Sequence, residues 1–206
     1  MAKMNLKTQA YNTIRQKIIT CEYEPGTFLN EEFLTNQLGL SRTPVRDALG
    51  RLEQEGLVEI KPKKGFLVTP LSINMINMIY EIRLLYEPYI IQNYGSSLST
   101  EKLKEFYNIF HQKKSDSTSS QTNDYFYELD AKFHNFIVHA CPNTYIHRNY
   151  DMIVTQNERF RYMTGNISNH RIDDTCQEHL EIIRSCIQSD WNVAAQKMIY
   201  HLEESK

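Results

Sequence analysis

The sequence predicts a mainly α protein in two parts: three helices closed by a small β-hairpin over residues 1–70, then an all-α helical bundle over residues 71–206. Three observations carry this. Apolar residues recur at helical spacing in the first part, and each run is closed by a glycine. Two short apolar runs, Leu57–Ile60 and Phe66–Val68, flank Lys61-Pro62-Lys63-Lys64-Gly65, the pattern of a hairpin with a basic tip. Beyond Pro70 every segment reads as helix.

The first helix is expected over Leu6–Cys21, with Tyr11, Ile14, Ile18 and Ile19 at helical spacing, and Tyr23-Glu24-Pro25-Gly26 breaks it. A short second helix spans about Asn30–Leu38. Asn30 supplies its cap, Glu31 and Glu32 suit its positive end, and Gly39 stops it. Ser41 opens a third helix that turns Val45, Ala48, Leu49 and Leu52 to one face, and Gly56 ends it. In the second part Ser72 caps a long helix carrying Ile76, Ile79, Ile82, Leu85 and Tyr86, which Pro88 is expected to kink or break. Gly95–Ser99 is a turn, and a helix starting with Ser99 and Glu101 runs to about Lys114. Ser115–Thr122 reads as a solvated loop. Further helices are expected at about Asp124–Ala140, Thr144–Thr164, Ile172–Ser189 and Asn192–Glu203, with Pro142 and Asp190 at boundaries.

Hydrophobic residues make up 41% and charged residues 23% of the chain, an ordinary balance for a globular protein, and the formal net charge is -2. Residues 1–70 hold 10 Lys and Arg against 8 Asp and Glu, and residues 71–206 hold 13 against 17, so only local placement can argue for a nucleic-acid partner. The polar start Met1–Lys7 lacks a signal-peptide core, and no apolar run is long enough to span a bilayer. Cys21, Cys141, Cys176 and Cys186 show no paired spacing. A cytoplasmic chain with reduced thiols and no membrane partner is expected. There is no Gly-rich phosphate loop and no GxSxG nucleophile turn, so no catalytic residue is assigned.

Helix, helix, helix, hairpin is the order of a winged helix-turn-helix, whose second motif helix enters the major groove with its N-terminal residues at the base edges. Here that helix begins Ser41-Arg42-Thr43-Pro44-Val45-Arg46, with Arg42 and Arg46 on one face. Arginine can bond guanine in two places or clamp phosphate, and Ser41 and Thr43 offer hydroxyls. Lys63 and Lys64 at the hairpin tip suit an adjacent groove or the backbone. Taken alone, two arginines fit a solvated basic face as well.

The stretch Pro25-Gly26, then Leu38-Gly39-Leu40-Ser41-Arg42-Thr43-Pro44-Val45-Arg46-Asp47-Ala48-Leu49, then Leu52-Glu53-Gln54-Glu55-Gly56-Leu57-Val58, resembles the GntR family of regulators over residues 6–70. The resemblance implies a DNA-binding transcription regulator. It also implies operator contacts from Ser41, Arg42, Thr43, Arg46, Lys64 and Gly65. One departure stands out: many members carry a DNA-touching arginine in the second helix, where this chain has Glu31, Glu32 and Phe33.

In the second part Asp130 and His134 are four residues apart, on one face of a helix. His179 lies 11 residues before Asp190 and His201 lies 11 after it, so a helix hairpin turning at Asp190 places them at similar height. One carboxylate and three imidazoles can converge inside such a bundle. Spacing alone leaves this even with four ordinary side chains. His111, His139, His147 and His170 lack the symmetric placement, and Cys176 stands three residues before His179 as a competing thiolate. Phe126, Tyr127, Phe133 and Phe136 read as core.

Glu81-Ile82-Arg83-Leu84-Leu85-Tyr86-Glu87-Pro88, then Asp130 with Phe133-His134, then Glu178-His179-Leu180-Glu181-Ile182-Ile183, Asp190, Ala194-Ala195, Met198 and His201-Leu202, resemble the FCD ligand-binding domain of the same family. The resemblance implies a divalent metal on Asp130, His134, His179 and His201, and a small carboxylate effector beside it. Zinc is placed first among metals, with nickel, manganese and iron as the other candidates. It also implies that Arg83 faces the effector, the competing reading being a surface or interhelix salt bridge to a nearby Glu. Arg159 and Arg161 are weaker effector candidates, against an exposed helix face. The expectation is a homodimer on palindromic double-stranded operator DNA, its binding set by the effector. Two alternatives remain: a regulator in which the metal itself is the signal, and a metal-dependent hydrolase with Asp130 as base.

Overall fold

The computed structural model describes residues 5–115, 123–164 and 169–206. The solvated loop expected over Ser115–Thr122 lies outside the described residues apart from the backbone of Ser115. The chain divides into two compact units, Met1–Ser72 and Ile73–Lys206, each with its own hydrophobic core.

In the first unit α1 (Leu6–Ile19) is capped by Asn5 and buries Ala10, Tyr11, Ile14, Ile18 and Ile19. β1 (Phe28–Leu29) leads straight into α2 (Glu31–Leu38), where the Asn30 side chain accepts the Phe33 N–H at 2.7 Å. Gly39, at φ 65°, takes the left-handed turn that ends the helix. α3 (Arg42–Gln54) follows, with Val45, Ala48, Leu49 and Leu52 buried as the spacing predicts. Pro44 is its third residue, where a backbone N–H would have no acceptor within the helix, so the proline costs nothing there. α3 is stapled to α1: the Tyr11 hydroxyl donates to the Glu55 carboxylate at 2.8 Å, and the Arg51 guanidinium lies 3.6 Å from the centre of the Tyr11 ring.

β2 (Val58–Lys61) and β3 (Gly65–Val68) form the expected hairpin, in antiparallel register from Val58↔Val68 to Lys61↔Gly65. The sheet has a third strand that the sequence reading did not anticipate. β1 pairs with β3 through Phe28↔Leu67 and Leu29↔Phe66, giving the order β1-β3-β2. Two residues are too few to show a strand's alternation. β1 also explains Gly65, which sits at φ 100° with the Leu29 carbonyl oxygen only 2.6 Å from where a Cβ would be.

The second unit is wholly helical over its described residues. α4 (Ile73–Tyr94) runs through Pro88 without interruption, so the expected break does not occur. The proline removes one hydrogen bond, and buried Ile76, Ile79, Tyr80, Ile90 and Ile91 hold both halves in the core. A 3-10 turn over Gly95–Ser97 precedes α5 (Thr100–Ser115), and α6 (Asn123–Val138), α7 (Thr144–Thr164), α8 (Asn169–Ile187) and α9 (Trp191–Glu204) follow. Asp190 caps α9 by accepting the Val193 N–H at 3.2 Å. α5 packs on α8, α9 on α4 and α8, and α6 on α7 and α4. Phe126, Tyr127 and Phe133 are core, with Phe136 packed against it. All four cysteines are free thiols. No helix among the described residues is long and apolar enough to cross a membrane.

Candidate metal centre and nucleic-acid interface

Three helices bring four ligand-type side chains to one buried point. α6 supplies Asp130 and, one turn later, His134; α8 supplies His179 and α9 supplies His201. One donor atom from each lies within 4.8 Å of the others, the one such group found among the described residues. His134 Nε2 stands 3.2 Å from both His179 Nε2 and His201 Nε2. Asp130 Oδ1 lies 3.7 Å from His134 Nε2 and 3.6 Å from His179 Nε2. An ion with bonds of about 2.1 Å needs its ligand atoms roughly 3.0–3.4 Å apart. The two imidazole pairs that share His134 meet that spacing.

The surrounding hydrogen bonds set the direction of the lone pairs. His134 Nδ1 donates to Glu87 Oε2 at 2.6 Å, and His201 Nδ1 donates to Glu178 Oε2 at 2.6 Å. A carboxylate can only accept, so in the neutral ring the proton sits on Nδ1 and a bare Nε2 turns inward. Burial, then the neighbouring His201, pushes His179 well below the usual histidine range, and burial with His134 does the same to His201. Burial pushes the Asp130 carboxyl up, but Arg161 and then His134 outweigh it and hold it well below the usual range. Arg161 Nη1 donates to Asp130 Oδ2, while Asp130 Oδ1 has no hydrogen-bond partner among the described residues. Bare ring nitrogens and a free carboxylate oxygen facing one point repel one another unless a cation lies between them. The residues present therefore fit a metal.

Glu87 is the hub of the next layer. It is fully buried on α4 and accepts from Arg83 Nε at 2.7 Å, the Tyr150 hydroxyl at 2.5 Å and His134 Nδ1. Burial raises its pKa, but Arg83 and His134 overcome that and hold it well below the ordinary value. Arg83 is itself buried, not a surface residue, and its salt bridge runs within α4. Its Nη1 is buried with no hydrogen-bond partner among the described residues. Arg159 and Arg161 do not lie on an exposed helix face: both are buried, Arg161 on Asp130 and Arg159 donating to Gln156 Oε1 at 2.7 Å. Glu178 accepts from Arg171 Nη1 at 2.6 Å.

Sequence reading brought forward the four donors and missed Glu87, Glu178, Tyr150 and Arg171. A signal for Glu87 existed in its place four residues after Arg83. Cys176 stands outside the donor group, and burial and then Asp173 push its thiol up to about 12. His139 and His147 stack on each other instead, ring centres 4.3 Å apart, and the side chain of His170 lies outside the described residues.

In the first unit Ser41, Arg42, Thr43 and Arg46 are exposed at the start of α3, while Pro44 and Val45 turn inward. Arg46 makes a two-pronged ion pair with Glu31, Nε to Oε1 and Nη2 to Oε2 both at 2.9 Å, yet its side chain stays 69% exposed. Lys63 and Lys64 are exposed at the β2–β3 turn, and Gly65 is half-buried behind them.

A winged helix-turn-helix followed by a helical bundle of this kind defines a DNA-binding transcription regulator and not an enzyme, and the hydrolase alternative falls. The model for bacterial regulatory proteins of the gntR family matches residues 6–68, and the FCD domain model matches residues 78–204. The chain belongs to the GntR family, in its FCD-bearing group. It is 26% identical to the HTH-type transcriptional repressor RspR of Escherichia coli K12, over 95% of this chain and 85% of that one. Its fold is that of E. coli McbR/YncC, with a TM-score of 0.78 at 18% identity over 98% of this chain and 96% of the other. The second unit is also similar to the metal-free FCD domain of TM0439, with a TM-score of 0.56 at 23% identity over 65% of this chain and 90% of that one.

Proposed function

We propose that this regulator binds operator DNA as a cytoplasmic homodimer, and that a small carboxylate bound beside a divalent metal in the second unit controls the binding. The observation that carries the reading is the meeting of three imidazole Nε2 atoms, 3.2 Å apart in two pairs, with a carboxylate oxygen that has no hydrogen-bond partner among the described residues. Asp130, His134, His179 and His201 would hold the ion. A set rich in imidazole favours zinc, with nickel, manganese and iron as the other candidates. When bound, the ion supplies a Lewis-acid anchor for an effector carboxylate. Glu87 and Glu178 orient two of the rings, and Arg161 holds Asp130. Arg83, Arg159 and Arg161 supply the positive charge for an anion, and the buried Nη1 of Arg83 is a donor still to be used.

On the DNA side, Ser41, Arg42, Thr43 and Arg46 meet the major groove and Lys63, Lys64 and Gly65 form the wing contact. The effector acts by binding the DNA-competent and DNA-incompetent shapes with different affinity. The relative RspR is named a repressor, which makes repression the sense to test first.

The test is fluorescence anisotropy with a duplex enriched from a random library, using chelated protein, zinc-loaded protein, and zinc-loaded protein with succinate or citrate. A carboxylate-dependent shift of fivefold or more, lost in His134→Ala, is expected from a typical coupling of about 1–3 kcal/mol. No shift with any carboxylate overturns the reading. Affinity that follows free metal alone makes the ion the signal.

A further inference from the structure

A two-pronged ion pair on the proposed reading face joins Glu31 to Arg46, and stability does not account for it: an exposed pair contributes little to folding. The Arg46 side chain is 69% exposed and that of Glu31 25%. We infer that Glu31 is a specificity-determining residue for DNA, which aims the Arg46 guanidinium at a base edge and withholds it from phosphate. This rests on the reading that Arg46 meets DNA.

The geometry supports it in three ways. Glu31 is the first residue of α2, whose start is pinned by the Asn30 cap, so the carboxylate is held in place from below. Arg46, donating to that carboxylate, holds its pKa below the ordinary value against burial, so Glu31 is ionised when DNA arrives. The bonds run from Nε and Nη2, both at 2.9 Å. They engage the side fork of the guanidinium, one of its two edges able to chelate a phosphate, and place a negative charge beside the other. The end edge, formed by Nη1 and the second Nη2 proton, is left for a bidentate contact to guanine O6 and N7. Arg42 also lies close enough to lower the Glu31 pKa, so one carboxylate moderates the field of both arginines. A negative charge there weakens every phosphate approach, right sequence or wrong, while leaving the base contact in place. The gain is discrimination at the expense of non-specific affinity.

The experiment uses the full chain, a 30-bp duplex enriched from a random library by the unmodified protein, and a scrambled duplex of the same length. Dissociation constants are measured from 50 to 300 mM KCl for the unmodified protein, Glu31→Gln and Arg46→Ala. Glu31→Gln is expected to bind the scrambled duplex several-fold tighter, with a salt slope steeper by about one, the signature of one added phosphate contact. Its ratio of specific to non-specific affinity is expected to fall by about fivefold or more, the value of one bidentate base contact. If Glu31→Gln keeps the ratio and both slopes while Arg46→Ala lowers the ratio, the pair is a bystander and the inference fails. If Arg46→Ala also leaves the ratio and slopes unchanged, the DNA-contact reading of Arg46 itself is wrong.

Discussion

Replacing Glu87 by glutamine tests the candidate metal site at its hub. The carboxylate is fully buried and accepts from three donors, Arg83 Nε at 2.7 Å, the Tyr150 hydroxyl at 2.5 Å and His134 Nδ1 at 2.6 Å. An amide of the same shape keeps one accepting oxygen and turns an NH2 group toward at least one of those donors. The change also leaves the buried Arg83 cation without its counter-charge, a loss of about 3–5 kcal/mol when one partner of a buried pair is removed. His134 loses the acceptor that fixes its tautomer, which should weaken metal affinity by about 10- to 100-fold. Urea unfolding in chelator measures the first effect. Trp191, the single tryptophan, lies in the second unit and reports on it through its fluorescence. Competition with a chromophoric zinc chelator measures the second effect. A Glu87→Gln protein within about 1 kcal/mol of the original, with unchanged zinc affinity, would refute the reasoning, since a buried counter-charge cannot be removed at that cost.

Three further outcomes are expected. Zinc at about a thousand times its Kd should stabilise the second unit by roughly 4 kcal/mol over chelated protein, and His179→Ala should abolish the difference; calorimetry of both proteins checks this. Gly65→Ala forces a Cβ to within 2.6 Å of the Leu29 carbonyl oxygen at a φ of 100°, so it should cost at least about 1 kcal/mol in the melt of the first unit and weaken DNA binding. Cys141, Cys176 and Cys186 are buried, and burial helps push the thiols of Cys176 and Cys186 up to about 12, so a thiol reagent at pH 8 should modify Cys21 first and these three only on unfolding.

What could be read in the sequence was what repeats locally. The helices follow from apolar spacing, and the ends of α2 from Asn30 and Gly39, each a short-range effect. Spacing singled out the four side chains, two one turn apart and two equidistant from Asp190, which caps α9, but left them even with ordinary residues; only the resemblance to the FCD domain implied a ligand set. Contacts made across long stretches of chain were not legible. Arg161 and Arg159 look like solvent residues in the sequence, and the partner that buries Arg161, Asp130, is 31 residues away. The Glu87–His134 bond spans 47 residues. Pro88 carries a local signal to stop a helix, and the packing of Ile90 and Ile91 overrides it.

The two-residue strand β1 has a mechanical consequence. Its pairing of Leu29 with Phe66 ties the hairpin to the residue just before Asn30, and Glu31 next along the chain grips Arg46. An unbroken path of covalent and hydrogen bonds thus runs from the hairpin to the face of α3. Such a reader meets DNA already assembled, so association carries little ordering penalty and its heat-capacity change should reflect buried surface alone, with no coupled folding.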